Sequence, residues 1–217
     1  MSGLEKLQKS FESYFAHRHF PRDPSSLYDP LEEFLLNSGK RIRPVMCLLG
    51  NELFGEIHQD AYHIAAAIEL FHNFTLVHDD IMDRAPLRRG KPTVHSVHGE
   101  PTALLGGDAM MVVAYDYINK IDAHYLKNVL GLFNKTAKEV CEGQQYDMDF
   151  EKMNTVSLPE YIKMIELKTS VLLAASLQLG SIVGGASEGN QNHIYEFGRN
   201  LGIAFQIQDD YLDAFGD

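Results

Sequence analysis

One long apolar-periodic segment dominates this sequence. It runs from Asp60 to Asp83, is rich in Ala, Leu and Ile on one side, and ends in three carboxylates, Asp79, Asp80 and Asp83. Residues four apart share a helix face and stand about 5–6 Å from one another. Asp79 and Asp83 therefore stack on one face, and Thr75 and His72 continue that face back along the helix. A polar stripe on an otherwise apolar helix is what a ligand cavity requires.

The pattern recurs once. A second apolar-periodic segment, Asn190 to Asp213, ends in DDYLD, where Asp209 and Asp213 are again four apart. Stacked carboxylates repel unless a cation lies between them. Mg²⁺ suits such a pair, because it binds one or two carboxylates and fills its other positions with water and phosphate oxygens. A single such cluster also reads as a solvated acidic helix end. Two copies beside basic loops favour the metal reading, with the clusters facing each other.

The basic loops supply the complement. Lys40, Arg41 and Arg43 fall in GKRIRP, and Arg88, Arg89 and Lys91 in RRGK. The net charge of the whole chain is −11, which argues against nucleic acid as a partner. Clustered cations in an acidic protein suit a small polyanion such as a diphosphate.

The rest reads as helical scaffold. Leu4, Leu7, Phe11 and Phe15 mark a first helix, ended by Pro21 and Pro24. A short helix spans Ser26 to Leu36, capped by Ser25 or Ser26, and Pro44 opens the next in its first turn. Arg84 to Thr93 reads as a loop broken by Pro86, Gly90 and Pro92. Further helices are predicted over Pro101–Ile121, Ala123–Met148, Leu158–Val183 and Asn190–Asp213. Strand alternation and hairpin signals are not evident. The expectation is an all-α, antiparallel helix bundle around a central cavity, one domain over residues 1–217. Val171 to Gly185 is too short and too often interrupted by polar residues to span a bilayer. Cys47 and Cys141 are the only cysteines, each within an apolar helical pattern, which fits a reducing, cytoplasmic setting. Glu69 and His72 form an E-x-x-H pair with no second copy, so a di-iron bundle is not supported.

The segments GKRIRP, DDIMDRAPLRRGKPTVH and FQIQDDYLDAFGD together resemble the trans-isoprenyl diphosphate synthases, the enzymes that build farnesyl, geranylgeranyl and longer prenyl diphosphates. That resemblance implies the isoprenoid synthase fold and Mg²⁺-assisted condensation of an allylic diphosphate with isopentenyl diphosphate. It implies metal sites at Asp79, Asp80 and Asp83 and at Asp209 and Asp213. Lys40, Arg43, His72 and Arg89 match positions that bind isopentenyl diphosphate; Arg88, Lys168, Thr169 and Gln206 match positions on the allylic substrate. Gln144 and Asp147 match a stretch lining the same cavity. Phe74 and Thr75, just before the first cluster, match positions that limit product length. An aromatic ring about 7–8 Å down the helix from the metal site implies fifteen- to twenty-carbon products. The resemblance also implies a homodimer, through Pro101 to Val113. A longer-chain synthase, a non-catalytic subunit of a heteromeric synthase and a terpene cyclase are the alternatives. The paired Asp motifs disfavour the last of these. The family continues well beyond the equivalent of Asp213, so the sequence is expected to lack a C-terminal part.

Overall fold

A computed structural model describes residues 3–36 and 39–216. Asn37 and Ser38, the start of the first basic loop, and the terminal Asp217 lie outside the described residues. The helices are α1 (Gly3–Phe15), α2 (Ser25–Leu36), α3 (Ile42–Glu52), α4 (Gln59–Met82), α5 (Val94–His98), α6 (Glu100–Ile118), α7 (Ala123–Phe150), α8 (Leu158–Ile165), α9 (Val171–Val183) and α10 (Glu188–Phe215). The fold class is all-α, as the periodicity requires. Residues 1–45 and 62–121 form one compact unit, and residues 46–61 and 122–217 a second.

In the first unit, α1 buries Leu7, Phe11 and Phe15, while Leu4 is about half exposed and stands outside the core. Helix α1 stops at Phe15, well before Pro21. Helix α2 begins at Ser25, one residue earlier than the capping pattern suggests, and the Pro24 carbonyl accepts from Leu27 and Tyr28 N–H. The α4 segment from Ile64 to Phe71 is buried on every side, which a helix at the centre of a core must be. Gly106 lets α6 close on α2: a Cβ there would fall 2.5 Å from Leu31 Cδ2.

Two features depart from the helical reading. Leu87–Arg88 and Lys91–Pro92 form a minimal antiparallel pair, β1 and β2, with Leu87 opposite Pro92 and Arg88 opposite Lys91. Arg89 and Gly90 form its turn, at φ 53° and 75°. Positive φ at both central residues is the type I′ geometry whose twist suits a two-residue hairpin. Strands two residues long carry no alternation, so only the X-Gly turn could have signalled them.

The second departure lies in the second unit. The predicted helix over 158–183 is interrupted by one π-helical turn, Glu166–Ser170, between α8 and α9. Ser157 and Glu160 form a capping box at the start of α8. Helix α9 is buried almost throughout, and α3 packs closely against it: a Cβ on Gly180 would lie 1.8 Å from the Cys47 carbonyl oxygen. Among the described residues no helix is long and apolar enough to cross a membrane.

Candidate active site

The C-terminal end of α4 and the hairpin that follows build the first acidic–basic site. Asp79 and Asp83 lie one turn apart, joined by a backbone hydrogen bond of 2.9 Å from Asp83 N to Asp79 O. Asp80 is buried. Arg88, carried by β1, donates from Nε to Asp80 Oδ1 at 2.8 Å and sets Nη2 3.6 Å from Asp79 Oδ2. Burial raises the Asp80 carboxyl above the usual carboxylate range, and Arg88 opposes that shift. Asp80 Oδ2 remains buried with no hydrogen-bond partner. Asp83 is exposed.

One side of α4 gathers guanidinium groups. Arg43 donates from Nη1 to His72 Nε2 at 3.0 Å. His72 is held neutral far below the usual imidazole range, first by burial and then by the fields of Arg43, Arg89, Arg88 and Arg41. Arg43 Nε is buried and unpartnered. The Arg89 guanidinium lies against Gly39: a Cβ there would sit 2.7 Å from Nη1. The two basic loops thus converge. Lys40 is exposed at the edge of the first loop. A cavity of about 370 Å³ opens beside this cluster, lined among others by Phe34, Asn73, Leu76, Arg88, Arg89 and Lys91.

Arg41 has a different role from its neighbours. It turns inward, pairs with buried Glu69 and donates to the Leu35 carbonyl. Asn73 Nδ2 also reaches Glu69, at 2.7 Å to its carbonyl and 3.1 Å to Oε1. Glu69 is therefore the internal counter-ion of the basic loop, which explains the E-x-x-H spacing without a metal. Arg41, Arg84 and Arg89 are the non-glycine residues with positive φ among the described residues, and all flank this site. Backbone strain of this kind costs roughly 1–3 kcal/mol per residue and persists where the surroundings enforce it.

Phe74 and Thr75 are half-buried on α4. The Phe74 ring centroid lies 5.6 Å from that of Phe71 and 4.7 Å from that of His78. Thr75 Oγ1 bonds the His72 carbonyl at 2.8 Å.

In the second unit, the π turn presents Lys168 and Thr169. Lys168 Nζ is 2.5 Å from Asp147 Oδ2 on α7, which gives Asp147 a defined partner. Glycines on both sides admit the widened turn. A Cβ on Gly143 would meet Lys168 N at 2.2 Å, and one on Gly202 would meet Ser170 Cα at 2.7 Å. Those two glycines, each inside a helical pattern, were the available sequence signal. On α10, Gln206 Nε2 donates to Asp210 Oδ1 at 2.8 Å, and Tyr161 donates to Asp210 Oδ2 at 2.5 Å. Asp210, the middle member of DDYLD, is thus taken up by hydrogen bonds, a role the sequence reading did not assign. Asp209 and Asp213 are exposed.

Comparison with known proteins agrees with these motifs. A family model described as Polyprenyl synthetase matches residues 24–217. The chain is 42% identical over 192 residues to a geranylgeranyl diphosphate synthase of Methanosarcina mazei, covering 88% of this chain and 59% of that one. It superposes on a crystal structure of geranylgeranyl pyrophosphate synthase with TM-score 0.96 and 48% identity, covering 100% of this chain and 66% of the other. A polyprenyl synthase from Caulobacter crescentus, solved with calcium and isoprenyl diphosphate, matches with TM-score 0.88 and 27% identity, covering 97% and 64%. The chain spans about six-tenths of the length of the curated relatives it matches. Motifs, fold and comparisons agree: the chain belongs to the polyprenyl synthetase family.

Proposed function

We propose that the protein is a prenyltransferase that joins an allylic diphosphate to isopentenyl diphosphate and releases a fifteen- to twenty-carbon prenyl diphosphate. The observation that carries this reading is the set of arginines around neutral His72, with an unpartnered Arg43 Nε among them. Several cations close together are stable only with an anion among them, and a diphosphate has the charge and the acceptor geometry. The names of the relatives, geranylgeranyl and short-chain isoprenyl diphosphate synthases, support the same substrate class.

Mg²⁺ is the expected cofactor. The donors Asp79, Asp83, Asp209 and Asp213 are all carboxylate oxygens, which suits a hard cation, and the calcium-bound relative has the same fold. Bound there, Mg²⁺ supplies charge neutralisation to the departing diphosphate. Asp80 helps that site, being buried and anchoring Arg88.

The protein's own residues then divide the work. Lys40, Arg43 and Arg89 hold isopentenyl diphosphate, with His72 orienting Arg43 through its unprotonated Nε2. Arg88 and Lys168 take the diphosphate of the allylic substrate, exchanging their present carboxylate partners for phosphate oxygens. Ionisation leaves an allylic cation near Thr169 and Gln206, whose oxygens stabilise positive charge. The isopentenyl double bond attacks that cation, and the released diphosphate accepts the proton lost in elimination. Stabilisation of charge by fixed groups is the main catalytic term, so no side-chain base is needed. Phe74 limits chain growth. The enzyme works in the cytoplasm as a homodimer, through the face of α6 that exposes Leu104, Leu105 and Val112.

The test is incubation with Mg²⁺, dimethylallyl diphosphate and radiolabelled isopentenyl diphosphate. Products of fifteen to twenty carbons support the reading. Cyclised hydrocarbons, or no product from protein of verified helicity, sink it.

A further inference from the structure

Away from the diphosphate site, two histidines and a tyrosine meet in an arrangement that lacks an electrophile. His17 and His19 lie on the segment after α1, and Tyr117 lies near the end of α6. His17 Nδ1 is 3.0 Å from the Tyr14 carbonyl oxygen, and His19 Nε2 is 3.1 Å from the Phe15 carbonyl oxygen. A carbonyl only accepts, so these two nitrogens carry the ring protons. In a neutral ring the other nitrogen is then a bare lone pair. Both lone pairs, His17 Nε2 and His19 Nδ1, point at Tyr117 Oη, at 2.7 and 2.9 Å.

A phenol has one proton. It can satisfy one imidazole, and the other contact is then lone pair against lone pair.

We infer that His17, His19 and Tyr117 form a binding site for a divalent cation that favours imidazole nitrogen, of the Zn²⁺ and Cu²⁺ class. Three features of the site support this. Each ring donates its far N–H to a backbone carbonyl, which is how metal-bound histidines are oriented and how their tautomer is fixed. The donor set is two imidazoles and a phenol, which suits Zn²⁺ or Cu²⁺ and not the hard Mg²⁺ of the acidic clusters. The spacing is nearly right as well. Metal–nitrogen bonds of about 2.05 Å in a tetrahedral site put donors about 3.3 Å apart, so the two nitrogen–Oη contacts need to lengthen by only about half an ångström.

Binding releases the Tyr117 proton to solvent and leaves a phenolate ligand, with water in the remaining position. The Lys120 ammonium stands over the Tyr117 ring, 3.9 Å from its centroid. Such a cation would fasten the segment between α1 and α2 to α6. His17 is exposed and His19 half-buried, so the site is open to solvent from one side.

The experiment uses the untagged full chain in millimolar Mg²⁺, which occupies the carboxylate sites, titrated with Zn²⁺ by calorimetry. One Zn²⁺ per chain is expected. His17→Gln and His19→Gln should each weaken it at least tenfold while the helical circular dichroism is unchanged. On the unaltered protein, Cu²⁺ electron paramagnetic resonance should show hyperfine splitting from two imidazole nitrogens. No Zn²⁺ uptake, an affinity in either variant unchanged from that of the unaltered protein, or a copper spectrum without imidazole nitrogen would overturn the proposal.

Discussion

Arg43 Nη1 donates to His72 Nε2 across 3.0 Å, and that bond exists only while the imidazole nitrogen is unprotonated. Burial and the arginines nearby enforce this state, so His72 adds no cation to the cluster. The consequence is a stability that depends on pH. His72 and His19 are both held below the ordinary imidazole value of 6.5, His19 at about 4. Above pH 6.5 the folded and unfolded chains both keep these rings neutral, and the stabilisation is complete. As pH falls below that value the unfolded chain takes up protons that the folded chain refuses, so stability drops, for His19 until about pH 4. Urea unfolding with a chelator present should show a loss on the order of 2–3 kcal/mol from His19 across that window. His19→Gln should flatten it.

Asp79→Ala removes one of the two stacked carboxylates and should lower kcat by roughly 10² or more. The steady-state assay with isopentenyl and allylic diphosphates reads this directly. Turnover within a factor of two or so of the unaltered protein would count against a metal at Asp79.

Arg88 pairs with Asp80, whose carboxylate is 2% exposed. Arg88→Met leaves that carboxylate buried and unpaired, at a cost of about 1–3 kcal/mol. A lowered melting temperature is expected, and adding Asp80→Asn should restore part of it. Strict additivity of the two substitutions would show that the pair is not coupled.

Gly143→Ala places a methyl group 2.2 Å from Lys168 N, so α7 must withdraw or the π turn must move. A destabilisation of about 1–3 kcal/mol is expected from overpacking, together with a fall in kcat as Lys168 and Thr169 are displaced. Unchanged turnover with lowered stability would separate the turn from the chemistry.

Phe74→Ala should lengthen the product. The ring sits among Phe71 and His78, so its loss leaves a gap along α4 rather than a collapsed core. Reversed-phase chromatography of the dephosphorylated prenols reads chain length, and an unchanged distribution removes Phe74 as the limit.

Long helices and their polar stripes were legible because periodicity over many residues averages out local exceptions. The acidic and basic clusters were legible because charge at helical spacing has few other uses. Arg41 shows where this stops. It stands in the same basic motif as Lys40 and Arg43, yet its positive φ turns it toward Glu69, and no spacing rule reveals the sign of a backbone dihedral. The π turn was hidden for a related reason. It depends on glycines at 143 and 202, on two other helices, and only packing brings them beside Lys168 and Ser170. Asp210 looked like its neighbours in DDYLD until Tyr161 and Gln206 were seen to hold it.

The hairpin turn sets two requirements against each other at one residue. Its backbone, at φ 53°, would be more relaxed with asparagine or glycine at position 89, while the proposed function needs a guanidinium where the loops converge. Selection for thermal robustness alone would therefore erode this corner of the molecule, and a consensus-driven redesign that relaxed the turn would yield a sturdier protein without the guanidinium that the proposed function assigns to this corner.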